Sequence, residues 1–255
     1  MTTGQQMCEV RSILARLSIG FPLLTLAAPA TAGWKSDPAL RTETVKDADG
    51  GEISCTFYRD FMIRVPGTDT PSPGNATLVR PGKAPVTCSP ETQSGLSLET
   101  EEYAFMGRTG VYLFFEVANP FASVPFRIVD SRTGRTIIDD VTEDGLSNPA
   151  TIRTMTATPK SLSLAFRRAL NTQCSVLAKP EACWRAITSN EDNGVPPEIA
   201  RLAPPTEACA KTYGEAGIDS NDPSVISYDV QVAWLRDRRR NQIKASGPVG
   251  CWPLP

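Results

Sequence analysis

Residues 110–141 read GVYLFFEVANPFASVPFRIVDSRTGRTIIDDV. Apart from the N-terminus, this is the most apolar and aromatic part of the chain. Val111–Ala118 is apolar at odd and even positions alike, which predicts a central strand covered on both faces. Asp130–Gly134 separates two β-branched runs and predicts a hairpin, with Gly134 in a left-handed conformation. We expect the rest of the chain to be organised around this strand and hairpin.

Alternating apolar and polar residues predict further strands on both sides of this stretch. One strand is expected over Ile53–Val65, with Arg59 as the single mismatch. Another is expected over Ser161–Ala169, where a helix is the alternative. Ile226–Trp234 alternates most cleanly, and we interpret Arg236–Lys244 after it as a polar tail. The pattern predicts about eight to ten short strands.

The chain changes character after Asn171, where short helical patterns replace strands. Prolines open three of these segments, which favours helices because the first-turn N–H is unpaired in any case. We place a small helical insertion, stapled by cysteines, at about 174–217. The predicted fold is mainly β, a β-rich α+β class. It is an antiparallel β-sandwich or distorted barrel in one domain, residues 33–255, with the insertion between the last two strands.

The first 32 residues have the composition of a secretory signal peptide. Two arginines precede the apolar segment Leu17–Ala28, and Ala30–Ala32 provides a small-residue cleavage site. A membrane anchor is the alternative, but the apolar run is shorter than the roughly 20 residues that span a bilayer. We therefore predict cleavage, no stable membrane span afterwards, and a periplasmic or secreted location. Met1 and Met7 are both candidate start residues.

Six cysteines follow the predicted cleavage site, whereas Cys8 precedes it. The six are Cys55, Cys88, Cys174, Cys183, Cys209 and Cys251. An even number in an exported chain predicts three disulfides. The wide spacings and the lack of a C-x-x-C motif argue against the alternative, a metal site. Neighbouring strand positions favour a Cys55–Cys88 pair and leave the other pairings open.

The chain contains no histidine, which excludes Ser-His-Asp and Cys-His catalysis and zinc sites built on imidazole. It also lacks a phosphate loop, a nucleophile elbow, an EF-hand loop and a dinucleotide fingerprint, so no cofactor is predicted. A formal net charge of −2 gives no electrostatic reason to expect nucleic acid as a partner.

Two groups of carboxylates are the remaining candidates for catalysis. They are Asp139, Asp140, Glu143 and Asp144 after the hairpin, and Glu99, Glu101 and Glu102 before the central strand. Two facing carboxylates suffice for glycoside hydrolysis. The first group also has oxygens for calcium, although its spacing matches no known loop. We favour the simpler interpretation, solvated loop acids, and assign no catalytic, cofactor-binding or metal-binding residue.

Two further features have both a functional and a structural interpretation. The basic run of Arg236 and residues 238–240 suits lipid headgroups or an acidic polysaccharide, but such a run is more often a solvated strand extension. Tyr58, Tyr112 and Phe114 would form an aromatic platform for a sugar or peptide if they were exposed. Core packing is the favoured interpretation of these rings.

Together these features favour a non-catalytic extracytoplasmic protein: a binding module, an inhibitor or an envelope-associated factor. A carboxylate-dependent hydrolase acting on cell-wall or polysaccharide material is the second hypothesis. A structural or assembly protein is the third. The expected partner is an envelope protein or a polysaccharide.

Overall fold

A computed structural model describes residues 34–67, 75–82, 85–91, 94–118, 120, 122–238 and 240–254. The predicted signal segment, with Met1, Met7 and Cys8, lies outside the described residues, as do Arg239 and the side chain of Arg240. The described chain is mostly antiparallel β-structure with three helices. The predicted fold class is therefore confirmed.

Thirteen strands in two sheets are the main secondary structure of the described chain. The N-terminal sheet contains β1 (Arg41–Lys46), β2 (Glu52–Phe57), β3 (Met62–Pro66), β4 (Thr77–Val79) and β5 (Leu96–Ser97). The large sheet contains β6 (Tyr103–Thr109), β7 (Tyr112–Val117), β8 (Val124–Asp130), β9 (Arg135–Thr142), β10 (Ile152–Thr158), β11 (Ser161–Asn171), β12 (Ser224–Leu235) and β13 (Arg240–Pro253). The insertion contains α1 (Pro180–Ser189), a 3₁₀ turn (Glu191–Asn193), α2 (Pro197–Ala200) and α3 (Thr206–Ala216).

The large sheet curls because two strands share one edge of β11. Residues 161–166 of β11 pair with β10, whereas Arg168 pairs with Thr142 of β9. The sheet thus has two halves, β6–β9 and β10–β13. Aromatic rings of the two halves meet in one core: the centroids of Phe126 and Phe166 are 5.1 Å apart. The large sheet therefore folds around this core as a distorted, open barrel, and its edge strands β6 and β13 do not pair with each other within the described residues.

The side chains of β7 pack into two hydrophobic cores, one on each face of the strand, as predicted for a central strand. Tyr112 and Phe114 point into the barrel core, while Leu113 and Phe115 point into a second core shared with the N-terminal sheet. All four side chains are fully buried. A third, smaller core covers the other face of the N-terminal sheet, around the Cys55 disulfide.

The hairpin between β8 and β9 has the predicted turn. Gly134 has a φ of +69°, in the left-handed region, and its N–H donates to the carbonyl of Asp130 at 2.8 Å. The strand register also shifts by one residue between Ile128 and Val129, which places a bulge at Ile137 of β9, away from the turn. The glycine is needed because a β-carbon is disfavoured at this φ.

The single strand predicted over Ile53–Val65 is wrong. The chain turns between β2 and β3, and the N–H of Tyr58 donates to the carbonyl of Phe61 at 2.8 Å. Phe57 then pairs with Met62, so the supposed continuous face is divided between two cores. Arg59 lies in this turn, and its mismatch in the alternating pattern marked the break.

The polar tail predicted over Arg236–Lys244 is also wrong in part. Residues from Arg240 onward form β13, which pairs antiparallel with β12 along most of its length. Side chains of β13 are largely exposed, so the strand has no alternating apolar signal. The helical insertion lies between β11 and β12, so two strands follow it and not one as predicted.

The insertion leaves and rejoins the barrel at one point. The N–H of Thr172 donates to the carbonyl of Ser224 at 2.9 Å, and the N–H of Ser224 donates to the carbonyl of Cys174 at 3.0 Å. Large side chains of the helices complete the barrel core: Trp184, Ile187, Ile199 and Tyr213. None of the helices in the described part of the chain is both long and apolar enough to cross a membrane.

Three disulfides hold the chain together. Cys55–Cys88 is present as predicted and staples the N-terminal sheet. Cys174–Cys183 lies within the insertion, and Cys209–Cys251 ties α3 to β13. Such bonds persist in oxidising surroundings, so they indicate a non-cytoplasmic compartment.

Candidate functional site

Asp139 and Asp140 do not form one site. They are consecutive on β9, so their side chains point to opposite faces of the sheet. Asp139 is half exposed and lies opposite Arg127 of β8, with 2.7 Å between carboxylate and guanidinium. Asp140 faces the barrel core and is ion-paired with Arg168. Carboxylates on opposite faces do not make the facing pair that glycoside hydrolysis requires.

Glu143 and Asp144 border a small cleft of about 310 Å³. Arg167 lies 2.9 Å from Glu143 and 3.1 Å from Asp229, and Arg153 lies 2.9 Å from Asp229. The arginines thus neutralise two of the carboxylates around the cleft. This geometry is a partly exposed salt-bridge network, which offers no free acid–base pair.

The acids before the central strand are separate again. Glu99, Glu101 and Glu102 are exposed, and their side chains form no ion pair within the described residues. Tyr58, Tyr112 and Phe114 are buried, so they do not form an exposed aromatic platform. Across the described ranges, no group of three or more aspartate, glutamate or cysteine side chains is placed to hold a metal ion.

A buried polar cluster of Asp140, Arg168 and Tyr228 lies at one end of the barrel core, here called the closed end. The side chains of Asp140 and Arg168 are 8% and 6% exposed, and Tyr228 is fully buried. Arg168 also donates to the carbonyl of Gly194, just after the 3₁₀ turn, at 3.0 Å. The cluster therefore links the barrel to the insertion that covers it.

Two polar atoms of this cluster lack hydrogen bonds within the described residues: Nε of Arg168 and the hydroxyl of Tyr228. The hydroxyl lies near the guanidinium without reaching hydrogen-bonding geometry. Burial raises the pKa of Asp140, although Arg168 opposes that rise. Burial acts to lower the pKa of Arg168, but Asp140 outweighs it and raises that pKa. The pattern of Leu162, Leu164, Phe166 and Arg168 could have revealed this inward-facing arginine.

Three hairpin turns converge at the opposite end, here called the open end. They connect β8 to β9, β10 to β11 and β12 to β13. Arg132 donates to the carbonyl of Pro159 at 2.5 Å, and the N–H of Arg236 donates to the carbonyl of Lys160 at 2.9 Å. These bonds join all three turns. Along β11, about 23 Å of strand separates Arg168 at the closed end from Ser161 at the open end.

A groove of about 830 Å³ lies between two of the hairpins at the open end. The β8–β9 hairpin contributes Asp130, Thr133, Arg135, Thr136 and Ile137. The β12–β13 hairpin contributes Trp234, Arg236, Asp237 and Asn241. The volume falls within the range of about 300–1,000 Å³ that is typical of ligand sites. Only two of these lining residues are apolar, so the groove suits a polar ligand.

Trp234, which lines the open-end groove, is fixed by contacts with the barrel core. Trp234 packs edge-to-face on Tyr112, with the ring centroids 5.9 Å apart. The hydroxyl of Tyr112 donates to the carbonyl of Thr158 at 2.8 Å, and burial raises the pKa of Tyr112 to about 12. The buried hydroxyl of Thr136 and the indole N–H of Trp234 form no hydrogen bond with any described residue. Thr136 and Trp234 both line the groove.

The three turns around the groove carry more cations than acids among their described residues. Asp130 is buried, and Arg132 binds both of its carboxylate oxygens, at 2.8 and 2.6 Å. Burial would raise the pKa of Asp130, but these hydrogen bonds outweigh burial and lower it. Other cations of the three turns are exposed and have no ion pair in the part of the chain that the structure describes: Arg135, Lys160, Arg236 and Arg238. Sequence reasoning found only the arginine run, because the other cations lie far away along the chain.

Comparison with known proteins adds no assignment to this geometry. No protein-family model, curated protein or solved structure matches the chain.

Proposed function

We propose that the protein is an exported, non-catalytic binding protein that takes its ligand in the open-end groove. The three disulfides support a location in an oxidising compartment. The signal segment predicted over residues 1–32 agrees with a periplasmic or secreted location. The partner proposed is a component of the cell envelope.

One observation carries the proposal: the groove is concave and has polar groups that the fold does not use. These are the hydroxyl of Thr136, the indole N–H of Trp234 and the guanidinium groups of Arg135 and Arg236. An unpaired buried polar atom costs free energy, commonly about 1–3 kcal/mol. A ligand that bonds to Thr136 would recover that cost.

A carboxylate-dependent hydrolase receives less support from this geometry. Asp139, Asp140 and Glu143 are each paired with an arginine. Within the groove, Asp130 is occupied by Arg132, which leaves Asp237 as the one unpaired carboxylate among the lining residues. A single free carboxylate does not provide the acid and the base that such hydrolysis uses.

The proposal is tested by mapping amide chemical shifts of the labelled protein while ligands are added singly. The ligands are a uronic acid oligomer, a neutral cell-wall disaccharide and an acidic peptide. We expect at least one to shift amides of the three open-end turns, with no product formed. Shifts confined to the insertion or the N-terminal sheet would contradict the proposal. Product formation that Glu143→Gln abolishes would favour the hydrolase instead.

A further inference from the structure

We infer that the open-end groove binds an acidic polysaccharide, with the carboxylates of the sugar chain contacting the surrounding cations. This inference rests on the proposed function, because it names the ligand class of the same groove. It is carried by the local charge, the shape of the groove and the polar groups that line it.

The described residues of the three turns around the groove have a net positive charge. The three turns carry Arg132, Arg135, Lys160, Arg236 and Arg238, against only two acids among their described residues, Asp130 and Asp237. The groove itself is lined by Arg135, Arg236 and the two acids. The whole chain carries a net charge of −2, so this positive surface is opposite in sign to the protein as a whole. Arg132 is committed to Asp130, but the other four cations are free of ion pairs within the described ranges. An anionic polymer therefore gains their attraction without breaking any existing salt bridge.

The residues that line the groove match the carboxylates and hydroxyls of an acidic sugar chain. Arg135 and Arg236 come from different hairpins, and a guanidinium binds a carboxylate through two parallel hydrogen bonds. Thr136 and Trp234 also line the groove and would provide unused polar groups for sugar hydroxyls. Asn241 donates its amide to the carbonyl of Ile137 at 3.0 Å, which leaves its side-chain oxygen free to accept. The lining thus serves both the charge and the hydroxyls of one ligand.

The surroundings of the groove favour a sugar chain over an anionic membrane as its ligand. Binding in a membrane interface normally combines basic residues with apolar side chains that enter the lipid. Three large apolar side chains of the described residues are exposed: Leu40, Leu202 and Ile243. None of them belongs to the three turns. A concave, polar groove also fits a narrow chain better than a flat bilayer.

Calorimetric titration with an oligogalacturonate tests the inference, and its methyl ester is the matched neutral ligand. We expect the acid form to bind and the ester to bind at least about tenfold more weakly. The variant R135Q/R236Q is expected to lose at least about tenfold in affinity. The control R185Q/R201Q removes the same charge from exposed positions of the insertion, which follows the opposite end of β11 and does not line the groove. It is expected to bind like the unaltered protein.

Salt provides a second readout. Raising the salt concentration from about 0.02 to 0.15 M is expected to lower the affinity of the unaltered protein for oligogalacturonate more than that of R135Q/R236Q. The variant has fewer charges whose attraction the salt can screen. If R135Q/R236Q does not fold, as judged by circular dichroism, Arg238→Gln in the exposed turn takes its place. The affinity of this variant for oligogalacturonate is then expected to fall about threefold, because one of the four cations without an ion pair is removed.

Equal binding of the acid and its ester, or unchanged binding by R135Q/R236Q, would overturn the inference. Binding to phosphatidylglycerol vesicles without binding to oligogalacturonate would also overturn it, in favour of a membrane surface. If the neutral disaccharide or the peptide shifts the turn amides and oligogalacturonate does not, the inference fails while the proposed function stands. If no ligand shifts those amides, both fail.

Discussion

Arginines occur at both ends of the barrel, but their surroundings give Arg168 a different role from Arg135 and Arg236. At the closed end, Arg168 and Asp140 are buried, paired with each other and covered by the insertion. At the open end, Arg135 and Arg236 are exposed and have no ion pair within the described chain. The difference shows that coverage, more than residue type, decides whether a charge serves the fold or is available to a partner.

The physical reason is the cost of removing charge from water. A buried ion loses several kcal/mol of solvation, so it persists only with a partner and further hydrogen bonds. Arg168 meets this need with Asp140 and the carbonyl of Gly194. An exposed arginine remains solvated and needs no internal partner, so the open-end cations stay available to an external anion.

The largest effect is expected from Asp140→Asn. This change leaves Arg168 as an uncompensated charge in the core, so the free energy of unfolding should fall by about 3–5 kcal/mol. The matched control is the neighbouring exposed acid, for which Asp139→Asn should cost only about 0–1 kcal/mol. Urea unfolding of both variants measures the difference. Equal losses would show that the two ion pairs are energetically alike and would remove the contrast between the ends.

The disulfides offer the next test of how firmly the insertion covers the closed end. Replacing Cys209 and Cys251 by serine opens a loop with a separation of 42 residues, and chain entropy predicts a loss of about 4 kcal/mol. Replacing Cys174 and Cys183 opens a loop with a separation of only 9 residues, with an expected loss of about 2.6 kcal/mol. Thermal and urea unfolding would rank the two. The reverse ranking would mean that the short loop is held mainly by native contacts.

A smaller effect is expected at the open-end turn itself. Gly134→Ala places a β-carbon at a φ of +69° and about 3.0 Å from Leu96, for an expected loss of about 1–3 kcal/mol. The control is Gly50→Ala, at a φ of +84° with open space around the new atom, which should cost about 1 kcal/mol. The difference in unfolding free energy isolates the contact with Leu96. No difference would mean that Leu96 moves aside freely.

The smallest effect is expected from the pH dependence of Asp130. Its pKa in the folded protein lies below the ordinary value, so its contribution to stability is present above that ordinary value. The contribution is lost as the pH falls through the lowered pKa. Asp130→Asn should therefore flatten the acid side of the curve of unfolding free energy against pH. A curve with the same acid slope in both proteins would show that the pairing with Arg132 does not depend on charge.

Local patterns in the sequence predicted the local parts of this fold. Gly134, the buried strand β7 and the proline-initiated helices each depend on neighbouring residues, and each was predicted. The ion pair of Asp140 and Arg168 joins residues 28 apart, and the groove includes a contact between Asn241 and Ile137 across 104 residues. Such pairings depend on which strands lie side by side, which alternation alone does not reveal. For the same reason, the exposed strand β13 was taken for a tail.

The position of the insertion also has a consequence for folding. β11 and β12 pair in continuous register from Ser161 with Leu235 to Asn171 with Val225, yet Thr172 and Ser224 at their junction are 52 residues apart in sequence. Closing such a loop costs roughly 2 kcal/mol more entropy than a four-residue turn. Long-range pairings of this kind slow folding. We therefore expect the helices to become ordered before these two strands pair, and pulse-labelled hydrogen exchange should show amides of α1 protected earlier than those of β12.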